Sequence, residues 1–264
     1  MSSPVFVAEP GLVAKARIGH AMVLGGTEGR HAATVTRVRR GEAIEVVDGQ
    51  GTRIMARVRD LGRDELTVEV LDLVHEPEPN PAFVVVQALP KGEHADLAVD
   101  QLTQAGVDRI LPWAAANCVA RWDAERVPKG QVRWQQTAIQ AAKQSRRSRI
   151  PRIESLAGTQ DVEQAVRAAD LAISLHEEAT EPLSQVALVP SGTILVIVGP
   201  EGGLAPSERE RLGAAGAREA RLGPQVLRTS LAGPVALAIL SGRGRWRSVA
   251  EPTGHLATMQ GWPT

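Results

Sequence analysis

The fold class is set by Ile194-Leu-Val-Ile-Val198 and the loop that follows it, Gly199-Pro-Glu-Gly-Gly203. Five consecutive aliphatic residues predict a strand that is buried on both faces, as strands of parallel sheets are. Pro206 suits the first turn of a helix, so a helix is expected after the loop. A buried strand, a glycine-rich loop and a helix in this order indicate an α/β unit. Ligands of such sheets bind at the carboxyl ends of the strands, where this loop lies.

The same alternation of strand and helix extends over residues 82–264, which we expect to form one α/β domain with a mainly parallel sheet. The expected strands are 83–89, 109–113, 171–175, 194–198 and 219–222. The expected helices are 95–105, 131–144, one that begins at 206, and 230–240.

Residues 1–75 have a different pattern, typical of a small β-barrel. Strands are expected at 5–8, 21–24, 43–47, 53–59 and 66–71, with one helix at 27–40. The stretch Glu76-Pro-Glu-Pro-Asn-Pro81 reads as a linker, because three prolines in six residues disfavour a helix. The chain is thus expected to contain a β-rich front domain (1–75), a linker (76–81) and an α/β domain (82–264).

Composition excludes several classes of protein. The single cysteine, Cys118, rules out an intramolecular disulfide framework, and the six histidines show no His-x-x-x-His spacing, so no metal site is expected. Apolar runs are far shorter than the roughly 18 residues of a membrane helix, and no basic leader precedes an apolar core. We therefore expect a cytoplasmic protein that has no membrane partner.

Charge is balanced overall, with 30 Lys and Arg against 30 Asp and Glu, but it is not balanced locally. Residues 121–152 hold nine basic side chains against only Asp123 and Glu125, with Trp122 and Trp134 among them. Clustered guanidinium groups bind phosphates, which favours a nucleic-acid partner. A solvated helix face is the alternative, and the charge run alone does not decide between the two.

A second loop, Leu222-Gly-Pro-Gln-Val-Leu-Arg-Thr229, leaves the expected strand 219–222 and enters the last helix. It offers backbone N–H groups, the guanidinium of Arg228 and the hydroxyl of Thr229 to a ligand. Either loop alone could be a plain turn, but two Gly-Pro loops at one sheet edge favour a pocket. The chain contains neither a P-loop nor an early Gly-x-Gly-x-x-Gly, which argues against a nucleotide or dinucleotide site of those kinds.

The two loops together resemble the paired signature of the bacterial 16S ribosomal RNA (uracil-N3) methyltransferases, which belong to the SPOUT class of knotted methyltransferases. Further segments match in the family's order: Gln87-Ala-Leu-Pro-Lys-Gly-Glu93, 102–106, 134–145 and Arg149-Ile-Pro151. The resemblance implies a PUA-like RNA-binding barrel followed by a SPOUT α/β domain with a C-terminal trefoil knot, an exception to ordinary connectivity. It also implies a homodimer that methylates N3 of a uridine in 16S ribosomal RNA or in the small ribosomal subunit.

The resemblance also implies roles for individual residues. S-adenosylmethionine would be bound by residues of both loops and by the last residue of the expected strand 171–175: Leu175, Gly199, Gly203, Leu222, Val226, Leu227 and Thr229. Arg228 would stabilise negative charge on the uracil or pair with an acid such as Glu201, and Glu201 would act as base or orient its loop. The RNA contacts would come from two groups of basic residues: Arg30, Arg37 and Arg40, and Lys143, Arg146, Arg147 and Arg149.

The sequence departs from the family's pattern at three places. Ser230-Leu231 stands where the family commonly has Glu-Thr, so a carboxylate role there is not carried over. Lys143 and Arg146 replace a Glu and a Gly, and Ala205 replaces a capping Ser. A non-catalytic rRNA-binding assembly factor with the same fold is the alternative function, and a Rossmann-type oxidoreductase or nucleotide enzyme is a more distant one because the chain has no dinucleotide fingerprint.

Overall fold

The computed structural model describes residues 3–248, which form two compact units. The first unit extends to Glu78 and also includes Ala142–Ile150; the second consists of Pro79–Ala141 and the chain from Pro151. The division after Glu78 falls within the expected linker 76–81. Residues 142–150 belong to the α/β domain 82–264 expected from the sequence, but in the structure they pack with the first unit. Residues 249–264 of the expected second domain lie outside the described residues.

The first unit is built on a five-stranded sheet of order β1-β3-β4-β5-β2. Its strands are β1 (Val5–Val7), β2 (Ala21–Leu24), β3 (Ala43–Val47), β4 (Thr52–Leu61) and β5 (Leu66–His75). Its helices are the short α1 (Pro10–Val13) and α2 (Gly26–Arg30). The pairing is antiparallel except between β1 and β3, which run parallel.

One apolar core holds the first unit together. All five strands contribute to it, among them Phe6, Leu24, Ile44, Ile54 and Leu66, each at most 2% exposed. Burial of an aliphatic or aromatic side chain of this size contributes roughly 1.5–3 kcal/mol. A sheet whose strands all face one core matches the barrel expected from the sequence.

The helix expected at 27–40 is shorter and irregular. Helix α2 ends at Arg30, a π-helical turn covers His31–Thr36, and Arg37 adopts a left-handed conformation with φ 54°. The β-branched run Thr34-Val-Thr36 accounts for the difference, because such side chains lose rotamer freedom in an α-helix.

The second unit is built on a six-stranded parallel sheet of order β11-β9-β10-β6-β7-β8. Its strands are β6 (Ala82–Ala88), β7 (Arg109–Trp113), β8 (Arg152–Ile153), β9 (Leu171–Leu175), β10 (Thr193–Val198) and β11 (Arg218–Ala220). Its helices are α3 (His94–Gln104), α4 (Arg126–Gln144), α5 (Thr159–Ala168), α6 (Pro206–Ala215) and α7 (Thr229–Arg243). The parallel α/β architecture expected from 194–203 is confirmed.

Helix α7 fixes the second loop against the sheet. It packs against α3 and β10, and a Cβ added to Gly233 would lie 2.8 Å from the Leu102 side chain. The two helices therefore approach closely only because position 233 has no side chain. This packing sets where α7 begins, at the end of the loop 222–229.

Two elements of the second unit were not expected from the sequence, β8 and α5. Helix α5 buries only Val162 and Val166, so its apolar period is too short to stand out in the sequence. Strand β11 also ends at Ala220, which leaves Leu222 in the loop rather than in the strand. Within residues 3–248, no helix is both long enough and apolar enough to span a membrane.

Candidate active site

A cleft of about 330 Å³ lies at the carboxyl ends of β9 and β10. Three segments line it: residues 175–177 after β9, residues 198–204 after β10, and residues 222–229 before α7. Ala232, one turn into α7, completes the wall. The two Gly-Pro loops therefore meet in space, at the sheet edge where open α/β folds bind ligands.

The cleft brings together all nine residues that the sequence proposed for the cofactor or for catalysis. They are Leu175, Gly199, Glu201, Gly203, Leu222, Val226, Leu227, Arg228 and Thr229. His176 also lines the cleft, and its Nδ1 accepts the backbone N–H of Glu178 at 3.2 Å.

The first loop turns tightly because of its glycines. The N–H of Gly203 donates to the carbonyl oxygen of Pro200 at 2.9 Å, and Gly203 has a φ of +70° that favours glycine. A Cβ on Gly199 would lie 3.1 Å from the Leu204 side chain. The backbone of this loop can therefore approach a ligand without an intervening side chain.

Glu208 in α6 holds this loop in place through hydrogen bonds, a structural role that was not predicted from the sequence. Glu208 is 4% exposed, and its carboxylate accepts the N–H of Ala205 at 3.1 Å, the N–H of Ala116 at 2.9 Å and the hydroxyl of Thr159 at 3.1 Å. The contact with Ala205 is the glutamate half of a capping box, which replaces the missing serine cap. The spacing of Glu208, three residues after the N-cap residue Ala205, is the one feature of the sequence that indicates this capping contact.

Asn117 adds a second anchor that the sequence did not reveal. Its side-chain Nδ2 donates to the carbonyl oxygen of Gly203 at 3.1 Å. Together with the Ala116–Glu208 contact, this holds the segment after β7 against the first loop. Nothing in the sequence around Asn117 indicates such a contact, because the two segments are 86 residues apart.

Glu201 and Arg228 occupy the same cleft without pairing. Both are exposed, and the Oε1 atom of Glu201 accepts the backbone N–H of Lys91 at 3.2 Å. Arg228 is the N-cap residue of α7, and in the described part of the chain its guanidinium forms no ion pair. The salt bridge to Glu201 that the sequence left open is therefore not formed.

Three of the four basic residues proposed near 143–149 have partners within the first unit. The Lys143 ammonium, 9% exposed, binds both carboxylate oxygens of Glu28 at 2.8 and 2.9 Å. Arg146 lies 3.6 Å from the carboxylate of Glu45. Arg149 donates to the backbone oxygen of Glu76 at 2.6 Å.

The front-domain arginines are more open. Arg30 pairs with Asp64 at 2.9 Å, with both side chains exposed, and Arg37 and Arg40 are exposed as well. Exposed pairs of this kind are worth little, so Arg30 can exchange its partner at small cost. Arg147 is also engaged in interactions within the structure.

Cys118 is buried and carries a free thiol. Burial in apolar surroundings raises the pKa of its thiol above the usual range. In residues 3–248, no group of three or more His, Cys, Asp or Glu side chains is arranged to hold a metal ion.

Residues 76–241, more than half of the chain, match the family model described as an RNA methyltransferase domain. The chain belongs to the RNA methyltransferase family. Residues 24–71 match a second model, described as an RNA methyltransferase PUA domain. The PUA-like front domain and the SPOUT-type α/β domain expected from the sequence are thereby confirmed.

Several named relatives belong to the same family. A protein of Mycobacterium bovis called ribosomal RNA small subunit methyltransferase E is 45% identical over 88% of this chain and 91% of its own length. The protein of the same name from Bacillus subtilis is 30% identical over 82% of this chain and 88% of its own.

Solved structures of family members share the fold. The ribosomal RNA small subunit methyltransferase E of Neisseria gonorrhoeae, bound to S-adenosyl methionine, superposes with a TM-score of 0.80 at 26% identity and covers 92% of this chain and 98% of its own. A probable rRNA-methyltransferase from Porphyromonas gingivalis superposes with a TM-score of 0.74 at 25% identity, over 92% of this chain and 99% of its own.

Proposed function

We propose that this protein transfers a methyl group from S-adenosylmethionine to small-subunit ribosomal RNA, at N3 of a uridine. The observation that carries the proposal is the meeting of the loops 199–203 and 222–229 in one cleft of an RNA methyltransferase domain. The relatives named ribosomal RNA small subunit methyltransferase E support the choice of RNA. The uracil N3 position rests on the resemblance of the two loops to the uracil-N3 enzymes.

The chemistry of the cleft suits S-adenosylmethionine. Its volume of about 330 Å³ lies in the range of small-molecule sites. Leu175, Leu204 and Leu222 offer apolar contacts to a flat base, whereas Gly199 and Gly203 leave the backbone open to polar groups. When bound, the cofactor would supply an electrophilic methyl group on a sulfonium.

Arg228 is the residue of this chain best placed to assist the reaction. Loss of the N3 proton places negative charge on the uracil carbonyl oxygens, and a guanidinium beside the cleft stabilises such charge. Its side chain is exposed at the cleft and forms no ion pair in the described structure, so it is available to the substrate.

Glu201 is better suited to positioning than to proton removal. One of its oxygens already accepts the Lys91 N–H, which links the first loop to the segment after β6. Since N3 lies on the pairing edge of uracil, the base must leave its partner before it can enter the cleft. A fixed loop geometry favours in-line attack on the methyl group.

The RNA backbone would be held by the front domain. We assign phosphate contacts to Arg30, Arg37 and Arg40, which are exposed. Lys143, Arg146 and Arg149 instead stabilise the first unit through the internal pairs described above. Of the basic residues proposed from the sequence, those without a strong internal partner are therefore assigned to RNA binding, and those with one are assigned to stability.

The proposal includes the homodimer, the C-terminal knot and the cytoplasmic location implied by the resemblance. An apolar edge beside the cleft supports the homodimer, because Val226 is 78% and Leu231 is 40% exposed. A second copy of the chain would cover these side chains.

The function is tested by incubating the protein with S-adenosylmethionine carrying a labelled methyl group and small ribosomal subunits from a strain that lacks it. Label in the RNA, mapped by mass spectrometry to N3-methyluridine, is the expected result. Label at another atom would remove the N3 assignment alone. Cofactor binding without any transfer to RNA, free or assembled, would favour the non-catalytic assembly factor.

A further inference from the structure

A second groove, of about 630 Å³, lies in the second unit and is not part of the cleft described above. Its walls include Pro90 and Gly92 after β6, Arg121 and Trp122 before α4, and the first turns of α4 with Arg126 and Lys129. We call it the tryptophan groove. Its lining holds two tryptophans, Trp122 and the buried Trp134, and four cationic side chains, of which Arg133 is paired with Asp96, an acid that also lines the groove.

The indole of Trp122 is held in a fixed position. It packs edge to face on the buried Trp134, with ring centroids 5.2 Å apart and an interplanar angle of 74°. A Cβ on Gly130 would lie 2.7 Å from the indole, so the ring rests directly on the backbone of α4. Trp122 itself is only half-buried and lines the groove.

Apart from Arg133, the cations of the tryptophan groove are open to a ligand. Among the described residues, the Arg121 side chain donates only to two backbone carbonyl oxygens, the nearer being that of Ala116 at 3.0 Å. Arg126 faces Asp123 at 3.5 Å with both side chains exposed, a contact of little strength. Lys129 is exposed and forms no ion pair within residues 3–248.

The tryptophan groove adjoins the cleft through one loop. Pro90 and Gly92 line the groove, and Lys91 between them donates its N–H to Glu201, which lines the cleft. A chain bound in the groove would therefore run close to the proposed methyl-transfer site.

We propose that the tryptophan groove binds one unpaired nucleotide of the RNA substrate that neighbours the methylated base. Its base stacks on Trp122, and its phosphates are bound by Arg126 and Lys129, with Arg121 as a further donor. Stacking platforms flanked by cations are the common means of binding single-stranded RNA. The inference rests on the proposed function, because it takes RNA to be the substrate.

The phosphate contacts are tested by the double variant Arg126→Gln/Lys129→Gln, with Arg167→Gln as control. Arg167 on α5 is also exposed and also pairs weakly with an acid on its own helix, Glu163 at 3.4 Å. Binding of a fluorescent 12-nucleotide oligouridine is measured from 50 to 300 mM salt. We expect about tenfold weaker binding for the double variant and a salt slope smaller by about 1.4, about 0.7 for each lost phosphate contact.

The stacking contact is tested by comparing Trp122→Phe with Trp122→Leu, which both fill space against Trp134. The phenyl ring should keep affinity within about threefold, whereas the leucine should lose about fivefold or more. Equal affinities of the two variants, or a double variant whose salt slope equals that of the control, would overturn the proposal. So would a wild-type protein that fails to bind the oligouridine at 50 mM salt.

Failure of this inference is distinguishable from failure of the proposed function. S-adenosylmethionine binding is measured by calorimetry on every variant and is expected to remain unchanged, as are thermal unfolding and the oligomeric state. Unchanged RNA binding with intact methyl transfer would refute the groove and leave the function standing. Weaker RNA binding accompanied by dissociation of an oligomer would identify the groove as a contact between copies and refute the proposal.

Discussion

The carboxylate of Glu201 accepts the backbone N–H of Lys91 across 3.2 Å, so two loops that are 110 residues apart in sequence meet at the cleft. Glu201 lies in the Gly-Pro loop after β10, and Lys91 lies in the loop after β6, the neighbouring strand of the sheet. The contact restrains the first loop at the position where it borders the cleft. The hydrogen bond from the Lys91 N–H requires an acceptor oxygen on the side chain at position 201, but it does not require a negative charge there.

Replacement of Glu201 by Gln is therefore expected to preserve most of the methyl-transfer rate, within about threefold, because the amide oxygen still accepts the Lys91 N–H. Replacement by Ala should lower the rate about fivefold to tenfold, since one hydrogen bond is worth about 1 kcal/mol. Steady-state methylation of small ribosomal subunits measures both. A general base would instead lose roughly 10²–10⁴-fold in both variants, which would refute the positioning role.

Replacement of Arg228 by Ala is expected to lower turnover roughly 10²–10³-fold, the usual effect of removing one donor from a developing oxyanion. The dissociation constant for S-adenosylmethionine, measured by calorimetry, should change less than about threefold, because the charge forms on the RNA and not on the cofactor. Arg228→Lys should restore part of the turnover.

Arg221→Ala is the matched control, since Arg221 is also exposed and lies seven residues earlier but does not line the cleft. It should behave as wild type. Turnover of Arg228→Ala equal to that of this control would remove Arg228 from the mechanism. Equal losses in cofactor affinity and turnover would make it a binding residue instead.

The sequence predicted the central strands of the second unit well because β6, β9 and β10 are largely apolar runs, whereas the two-residue β8 gave no such pattern. The run 194–198 and the Gly-Pro loops could be placed at one sheet edge by the rule that parallel strands share a direction, and the cleft lies there. Elements whose apolar face is small, such as α5 with Val162 and Val166, gave no comparable signal.

The basic run 121–152 shows what a one-dimensional pattern cannot resolve. Its charge density was visible in the sequence, but the partners of its members lie far away in the chain: Lys143 pairs with Glu28, 115 residues earlier. Near its other end, Lys129 forms no ion pair in the described residues. From the sequence alone, a basic side chain that pairs with a distant acid cannot be told from one that stays exposed, because the acid comes close only in the folded structure.

Glu208 is predicted to stabilise the cleft without taking part in the reaction. Replacement by Ala leaves two backbone N–H groups and the Thr159 hydroxyl without their acceptor, which should cost roughly 2–4 kcal/mol of unfolding free energy. Thermal or urea unfolding measures this cost. Glu210→Ala, an exposed position of the same helix, should cost less than about 0.5 kcal/mol. Equal losses at the two positions would contradict the anchoring role.

The ion pair of Arg209 and Glu219, which joins α6 to β11, predicts a pH-dependent stability. Two hydrogen bonds of 2.8 and 2.9 Å from the guanidinium lower the pKa of the Glu219 carboxyl below its usual range. A lowered pKa in the folded state means that the ionised carboxylate stabilises the fold at neutral pH. That contribution is lost as the pH falls through the lowered pKa of the folded state.

Glu219→Gln should therefore unfold at a lower temperature than wild type at pH 7, and the difference should shrink as the pH is lowered and the wild-type carboxylate becomes protonated. Arg209→Gln should produce the same pattern, and the double variant should be no less stable than either single one, because all three lack the same pair. Melting temperatures of the four proteins from pH 3 to pH 8 test this. A difference between wild type and Glu219→Gln that persists unchanged at pH 3 would show that packing of the side chain, and not its charge, stabilises β11.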